Sequence, residues 1–376
     1  MNAFRRGLRQ RNPLVLAVAA ALTLAVLLPP FLTVTGAGPF RISEGRLLRI
    51  THDDYLHLAY RIAELRDRPP RTRTVYLFGG SGTMESFVDE GSLAAAISSA
   101  AGERVAVVSL AAHQQSMAMS LALVDNLPPG PAVLAIGLAP IRVTSDPEED
   151  AKLLSGRPVL LRSPRLEALA ERFYGGRRSA VGILPGFFDY LGSYLEARDG
   201  RHGRPIPGQS ITYARHYYPP GAKGQLPLGK RRNVLYVLAE DVELYRRFGA
   251  YNLAVLEEII KLGGERGQTV VLYDQPLNAS AAGPDWAGVV PAYRKACREI
   301  ARRYGVAYVH VERNVRLRDD DFADLFHLLA PGRAKWQPEL ARLLGAALRA
   351  QAAQAAVRGE AARAPRTAIA DREVRR

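Results

Sequence analysis

With 376 residues, 48% of them hydrophobic and 23% charged, the chain has enough apolar material for one large core and too ordinary a balance for a disordered or fibrous protein. The net charge of +14 points to anionic partners. The basic residues, however, are spread over both termini and one loop without a readout motif, so a membrane surface or an anionic glycan is expected and no nucleic acid is. The single cysteine, Cys297, excludes an intrachain disulfide and reads as a small core residue in a helical pattern.

Residues 1–12 form a basic tail with Arg5, Arg6, Arg9 and Arg11, and residues 14–28 are apolar except for Thr23. Pro29-Pro30-Phe31-Leu32 extends the apolar run, so that 13–34 is long enough for one membrane crossing of about 20 residues. The arginines hold the amino end in the cytoplasm and export the rest of the chain, which predicts a single-pass inner-membrane protein with its main domain periplasmic or extracellular. A cleaved signal peptide ending near Ala37 is the rival reading; the poor cleavage motif favours the uncleaved anchor. Residues 43–66 read as a linking helix, with Leu47, Ile50, Leu58, Ile62 and Leu65 at core-facing spacing and Pro69-Pro70 as its stop. His52, His57, Asp53 and Asp54 on it read as solvated charge, since no third metal ligand accompanies them.

From Thr74 onward the pattern alternates: strand 75–78, helix 92–101, strand 105–110, helix 116–126, strand 132–136. Short apolar strands between helices predict an α/β fold with a mainly parallel sheet covered on both faces. An irregular insertion is expected at 140–232, with a basic, tyrosine-bearing loop at 201–232 that reads as a solvated segment or a grip for an anionic or sugar substrate. Residues 234–238 fit a strand or the start of the next helix. Beyond them come helix 252–262, strand 269–273, helix 289–304, strand 306–310 and helix 336–348. The Ala- and Arg-rich tail 351–376 has no core pattern and is expected to be disordered or weakly helical.

Chemistry concentrates at two places. In Phe78-Gly79-Gly80-Ser81-Gly82-Thr83 the first strand ends in a glycine-rich turn before a helix. The glycines tolerate positive φ and clear space around the Ser81 hydroxyl, and the helix start offers unpaired N–H groups. A P-loop would need lysine after Gly82, a dinucleotide fingerprint glycine at Glu85, and an α/β-hydrolase elbow glycine at Thr83. A serine nucleophile needs a base and the base an orienting group. Among the histidines, His310 reads as a satisfied core residue, His113 follows the second strand, and His202 and His216 lie in the basic loop. His327 stands just after the last strand with Asp324 three residues earlier, a spacing that on a turn brings carboxylate to imidazole.

Phe78-Gly79-Gly80-Ser81 resembles the first block of the SGNH (GDSL) hydrolases, with Gly80 where aspartate commonly stands. Asp324-Leu325-Phe326-His327, with Leu-Leu-Ala-Pro-Gly after it, resembles their last block. The likeness spans 74–348 and implies a three-layer α/β/α fold with Ser81 as nucleophile, His327 as base and Asp324 as its orienter. The middle blocks depart from the pattern. Ser109-Leu110-Ala111-Ala112-His113-Gln114-Gln115 offers no glycine for the oxyanion hole, and Gly137-Leu138-Ala139-Pro140 lacks the third block's asparagine. The substitutes considered are the Ser81 N–H, His113, Gln114 and Gln115, with Gly80 and Gly82 lining the turn. The resemblance implies an exported serine esterase or O-acyltransferase, acting on an O-acetylated surface polysaccharide or exopolysaccharide without a metal or cofactor. Its implied partner is a membrane-bound O-acyltransferase. The alternative is a non-catalytic scaffold that binds glycan or assists polymer assembly.

Overall fold

The computed structural model describes residues 13–34, 54–150, 163–174, 228–278 and 285–363. Five strands form one parallel sheet: β1 (Arg73–Phe78), β2 (Val105–Ser109), β3 (Ala132–Leu138), β4 (Thr269–Asp274) and β5 (Ala307–Val309), in the order β2-β1-β3-β4-β5. The helices in chain order are α1 (Pro13–Val34), α2 (Asp54–Asp67), α3 (Ser81–Met84), α4 (Glu90–Ala101), α5 (Met117–Asn126), α6 (Pro164–Tyr174), α7 (Leu228–Glu265), α8 (Asp285–Tyr304) and α9 (Ala330–Arg363).

Alternate strand residues feed two cores. Tyr76, Phe78, Leu134, Ile136 and Leu272 enter one, which α2, α5, α7 and α8 close. Val75, Leu77, Val133, Ala135 and Val271 enter the other, beneath Leu93 and Ile97 of α4 and Trp336, Leu340 and Leu344 of α9. Both faces being buried explains why the strands read as continuous apolar runs rather than alternating ones. The result is an α/β fold in three layers. The sheet order reverses between β1 and β3, and in open parallel sheets the crevice at the carboxyl ends of such a pair is where ligands bind.

Local signals set the helix ends. Asp89 accepts the Ser92 N–H at 2.7 Å and closes a capping box on α4, and Gly102, at φ +76°, ends the helix. The Ser116 hydroxyl caps α5 by accepting the Met119 N–H at 3.1 Å.

Several expectations are corrected. The segment after β3 is not wholly irregular: a 3-10 turn covers Pro140–Val143 and α6 lies beyond it. The Ser163 hydroxyl accepts the Leu166 N–H at 3.2 Å with Pro164 at the first helical position, a start signal present in the sequence. Of the two readings open for 234–238, the helical one holds: these residues lie within α7. The last helix begins earlier than expected and continues through Arg363, with Gln351 bonded to both Arg73 and the Ala132 carbonyl. The linking helix is described only from Asp54. His52, Asp53, His202, His216 and most of the basic loop lie outside the described residues.

Helix α1 is 22 residues long and carries no charged side chain. At 1.5 Å per residue it spans roughly 33 Å, the thickness of a bilayer's hydrocarbon core. Side chains are described only from Pro13 to Leu28, which is shorter than a crossing needs, and among the described residues no helix is long and apolar enough to cross a membrane. Cys297 on α8 is buried and free as expected, and burial, with the nearby Asp274 charge, pushes its thiol up to about 12.

Candidate active site

The chain leaves β1 at Phe78 and turns at once into α3, with Gly80 in extended conformation as its N-cap. The Thr83 N–H bonds the Gly80 carbonyl at 2.9 Å and the Glu85 N–H bonds the Ser81 carbonyl at 2.9 Å, which fixes Ser81 at the helix start. The N–H groups of Ser81 and Gly82 have no acceptor in the turn, as for any first helical turn. The glycines serve space rather than φ, a correction to the sequence reading: neither Gly79, Gly80 nor Gly82 has positive φ. A Cβ at Gly79 would lie 1.9 Å from the Thr83 hydroxyl, and one at Gly82 would lie 2.7 Å from Gln275 Oε1. At Gly80 nothing comes nearer than 4.0 Å, so this position has room for a side chain.

His327 arrives from the loop before α9. That loop is pinned by bonds from the Ala323 N–H to the His327 carbonyl and from the Leu329 N–H to the Asp321 carbonyl, each 2.8 Å. A Cβ at Gly332 would stand 2.5 Å from the Asp321 carbonyl, which accounts for glycine beside the loop. The Asp324 carboxylate accepts the backbone N–H groups of Phe326 and His327 through Oδ1, at 3.0 Å each. Its Oδ2 lies 2.6 Å from His327 Nδ1, and His327 Nε2 lies 2.7 Å from Ser81 Oγ. Burial works to raise the Asp324 pKa, but the bond and charge of His327 and the two N–H donors outweigh it and hold the carboxyl below its ordinary value. An ionised carboxylate only accepts, so Nδ1 carries the proton and Nε2 is left to accept the Ser81 hydroxyl proton. The structure thus brings together Ser81, His327 and Asp324, which are 246 residues apart at their widest.

The oxyanion candidates separate. Gln115 is a framework residue, which corrects its assignment as a donor: it is buried, its Nε2 donates to the Leu110 carbonyl at 2.7 Å, and its Oε1 accepts the Gly79 N–H at 2.9 Å and the Ser120 hydroxyl at 3.0 Å. Its backbone N–H is taken by the Ala112 carbonyl at 3.3 Å. Gln114 stands at φ +49°, the single non-glycine residue with positive φ among those described, and its N–H has no partner among them. A left-handed residue costs of order 1–3 kcal/mol unless its surroundings hold it there, and such residues cluster at functional sites. His113 is half-buried on the same turn. The turn is tied to the Ser81 turn by the Ala112 N–H, which bonds the Gly79 carbonyl at 3.0 Å.

Sequence reasoning missed four supporting residues. Gln275, just past β4, donates to the Thr83 hydroxyl at 2.9 Å and to the Gly137 carbonyl at 3.3 Å, beneath the Ser81 turn. Glu85 and Arg333 form a buried ion pair at 2.6 Å, and Arg333 also donates to the Leu328 carbonyl at 3.0 Å. Arg142 is buried behind the Gln115 turn. His310 bonds Asp274 through Nδ1 at 2.7 Å, but its buried Nε2 has no partner among the described residues, so it is half satisfied rather than fully so. Among the described residues no group of three or more His, Cys, Asp or Glu is placed to hold a metal ion. No protein-family model matches the chain, and no curated protein is significantly similar to it.

Proposed function

We propose that the chain is a membrane-anchored, extracytoplasmic serine esterase or O-acyltransferase of the SGNH type, acting on acyl groups, acetyl above all, of a surface polysaccharide. The observation that carries this reading is the unbroken relay from Ser81 Oγ through His327 to Asp324, with contacts of 2.7 and 2.6 Å. His327 Nε2 takes the hydroxyl proton as Ser81 Oγ attacks the ester carbonyl, and Asp324 stabilises the imidazolium that forms. The N–H groups of Ser81 and Gln114 receive the negative charge of the tetrahedral intermediate. Collapse of the intermediate expels the alcohol, which takes the proton from His327, and leaves an acyl-Ser81 ester. Water or a sugar hydroxyl then releases the acyl group by the reverse sequence, so hydrolase and transferase share one machinery. The basic, arginine-rich composition suits an anionic polymer, and the 22-residue α1 supplies the anchor. A membrane-bound O-acyltransferase is the partner such a protein would serve.

One experiment tests both halves. A fluorophosphonate probe added to carbonate-washed membranes that contain the full chain is expected to label Ser81 there and to leave Ser81→Ala unlabelled. Label confined to the soluble fraction removes the anchor; a folded wild-type chain that takes no label removes the nucleophile and leaves a glycan-binding scaffold.

A further inference from the structure

Arg142 lies in the 3-10 turn after β3, three residues past Ala139, which stands where the resembled block carries its asparagine, and it is 2% exposed. Its Nε donates to the Gln115 carbonyl at 3.0 Å. Its Nη1 donates to the Gly137 carbonyl, and its Nη2 to the Ser120 hydroxyl, to Gln115 Oε1 at 3.3 Å and to the Ser116 carbonyl at 3.4 Å. Each of these partners is a carbonyl, an amide oxygen or a hydroxyl, and none among the described residues is a carboxylate. Burial lowers its pKa only to about 10, so the guanidinium keeps its charge at neutral pH. A buried cation without a counter-ion is costly, and a fold has little reason to keep one for stability alone.

Its neighbours give it a use. The carbonyls of Gln115 and Ser116 come directly after Gln114, the strained residue whose N–H is unpartnered among the described residues. Gln115 Oε1, which Arg142 contacts, also accepts the N–H of Gly79, two residues before Ser81. The Gly137 carbonyl on its other side is shared with Gln275, which holds Thr83 of the nucleophile turn. We infer that Arg142 is the positioning residue of the oxyanion wall: it fixes the turn that presents the Gln114 N–H and holds a permanent positive charge behind the place where the intermediate's oxygen becomes negative. The inference rests on the serine-esterase reading and explains how a chain lacking the usual glycine and asparagine keeps that wall in place.

The test compares wild type, Arg142→Met, Arg142→Lys and Ser120→Ala on a p-nitrophenyl acetate assay, together with inhibition by a trifluoromethyl ketone, which forms an anionic hemiketal on the serine. Arg142→Met is expected to lower kcat by about 10²-fold, the scale of losing one oxyanion donor, with KM within about two-fold. The inhibition constant should rise by the same factor, which a general loss of folded protein would not produce. Arg142→Lys, which keeps the charge but not the planar fork, should fall between the two, and Ser120→Ala should show a smaller loss in the same parameter. If Arg142→Met does not fold, the last two variants decide. A kcat within about two-fold of wild type in every variant, or a change confined to KM, overturns the inference alone. A wild-type chain inert to both ester and ketone overturns the esterase reading and this inference with it.

Discussion

Asp150 is a carboxyl that folding forces toward neutrality. Burial, aided by the charges of Asp146 and Glu149 and opposed by a bond to Ser116, lifts its pKa from 3.8 to about 7, and its Oδ2 has no partner among the described residues. In the unfolded chain the proton leaves near pH 4. Between there and about pH 7 the native state therefore binds more protons than the unfolded one, so the stability contribution falls as pH rises through that window. Asp150→Asn is expected to melt higher than wild type at pH 8 and alike at pH 4, which paired thermal melts would check. Ser116, which Asp150 touches, also caps α5 just after the Gln114 turn, so the substitution probes the wall of the site as well. At this scale Ser81, Asp324 and His327 were legible because each sits in a short local pattern, the last two within one turn of chain. Arg142 and Gln275 were not, because an arginine or glutamine in sequence reads as a solvated side chain, and only contacts with distant segments reveal that both are buried.

The end of α3, which begins with Ser81, and the first turn of α9, which follows the loop of Asp324 and His327, meet through Glu85 and Arg333. Both side chains are almost wholly removed from water, where each neutralises the other's charge. Arg333→Met removes the 2.6 Å ion pair from buried Glu85 and is expected to cost about 3–5 kcal/mol in urea unfolding, whereas adding Glu85→Gln should recover part of that loss. The strands were readable from their apolar runs, and α4, α5 and α8 from their periodicity. The pattern failed where a polar surface masked a helix, as in α6, and left 234–238 open, because a short apolar run fits either a strand or a helix until its neighbours are known. The extension of α9 past the core was hidden because its sequence has no core pattern; among the described residues Gln351 bonds it to the start of the sheet.

At the scale of the molecule, the parallel sheet gathers the candidate site at the carboxyl ends of its strands. The carboxyl ends of β1 and β3 deliver Ser81 and Gly137 to the switch point, and the segments after β2 and β4 deliver Gln114 and Gln275. A relay between residues 246 apart exists only once the sheet and its last helix have assembled, so no fragment of the sequence holds it.

The lone thiol of Cys297 lies between α8 and that sheet, without solvent access and with its proton held to about pH 12. Only thiolate reacts quickly with maleimides, so alkylation in native buffer must wait for α8 to swing away, while in urea it should be immediate. At maleimide concentrations where alkylation outpaces reclosing, its native-state rate, read by mass, is thus expected to equal the frequency of that excursion: the chain carries its own stopwatch, with no reporter to engineer.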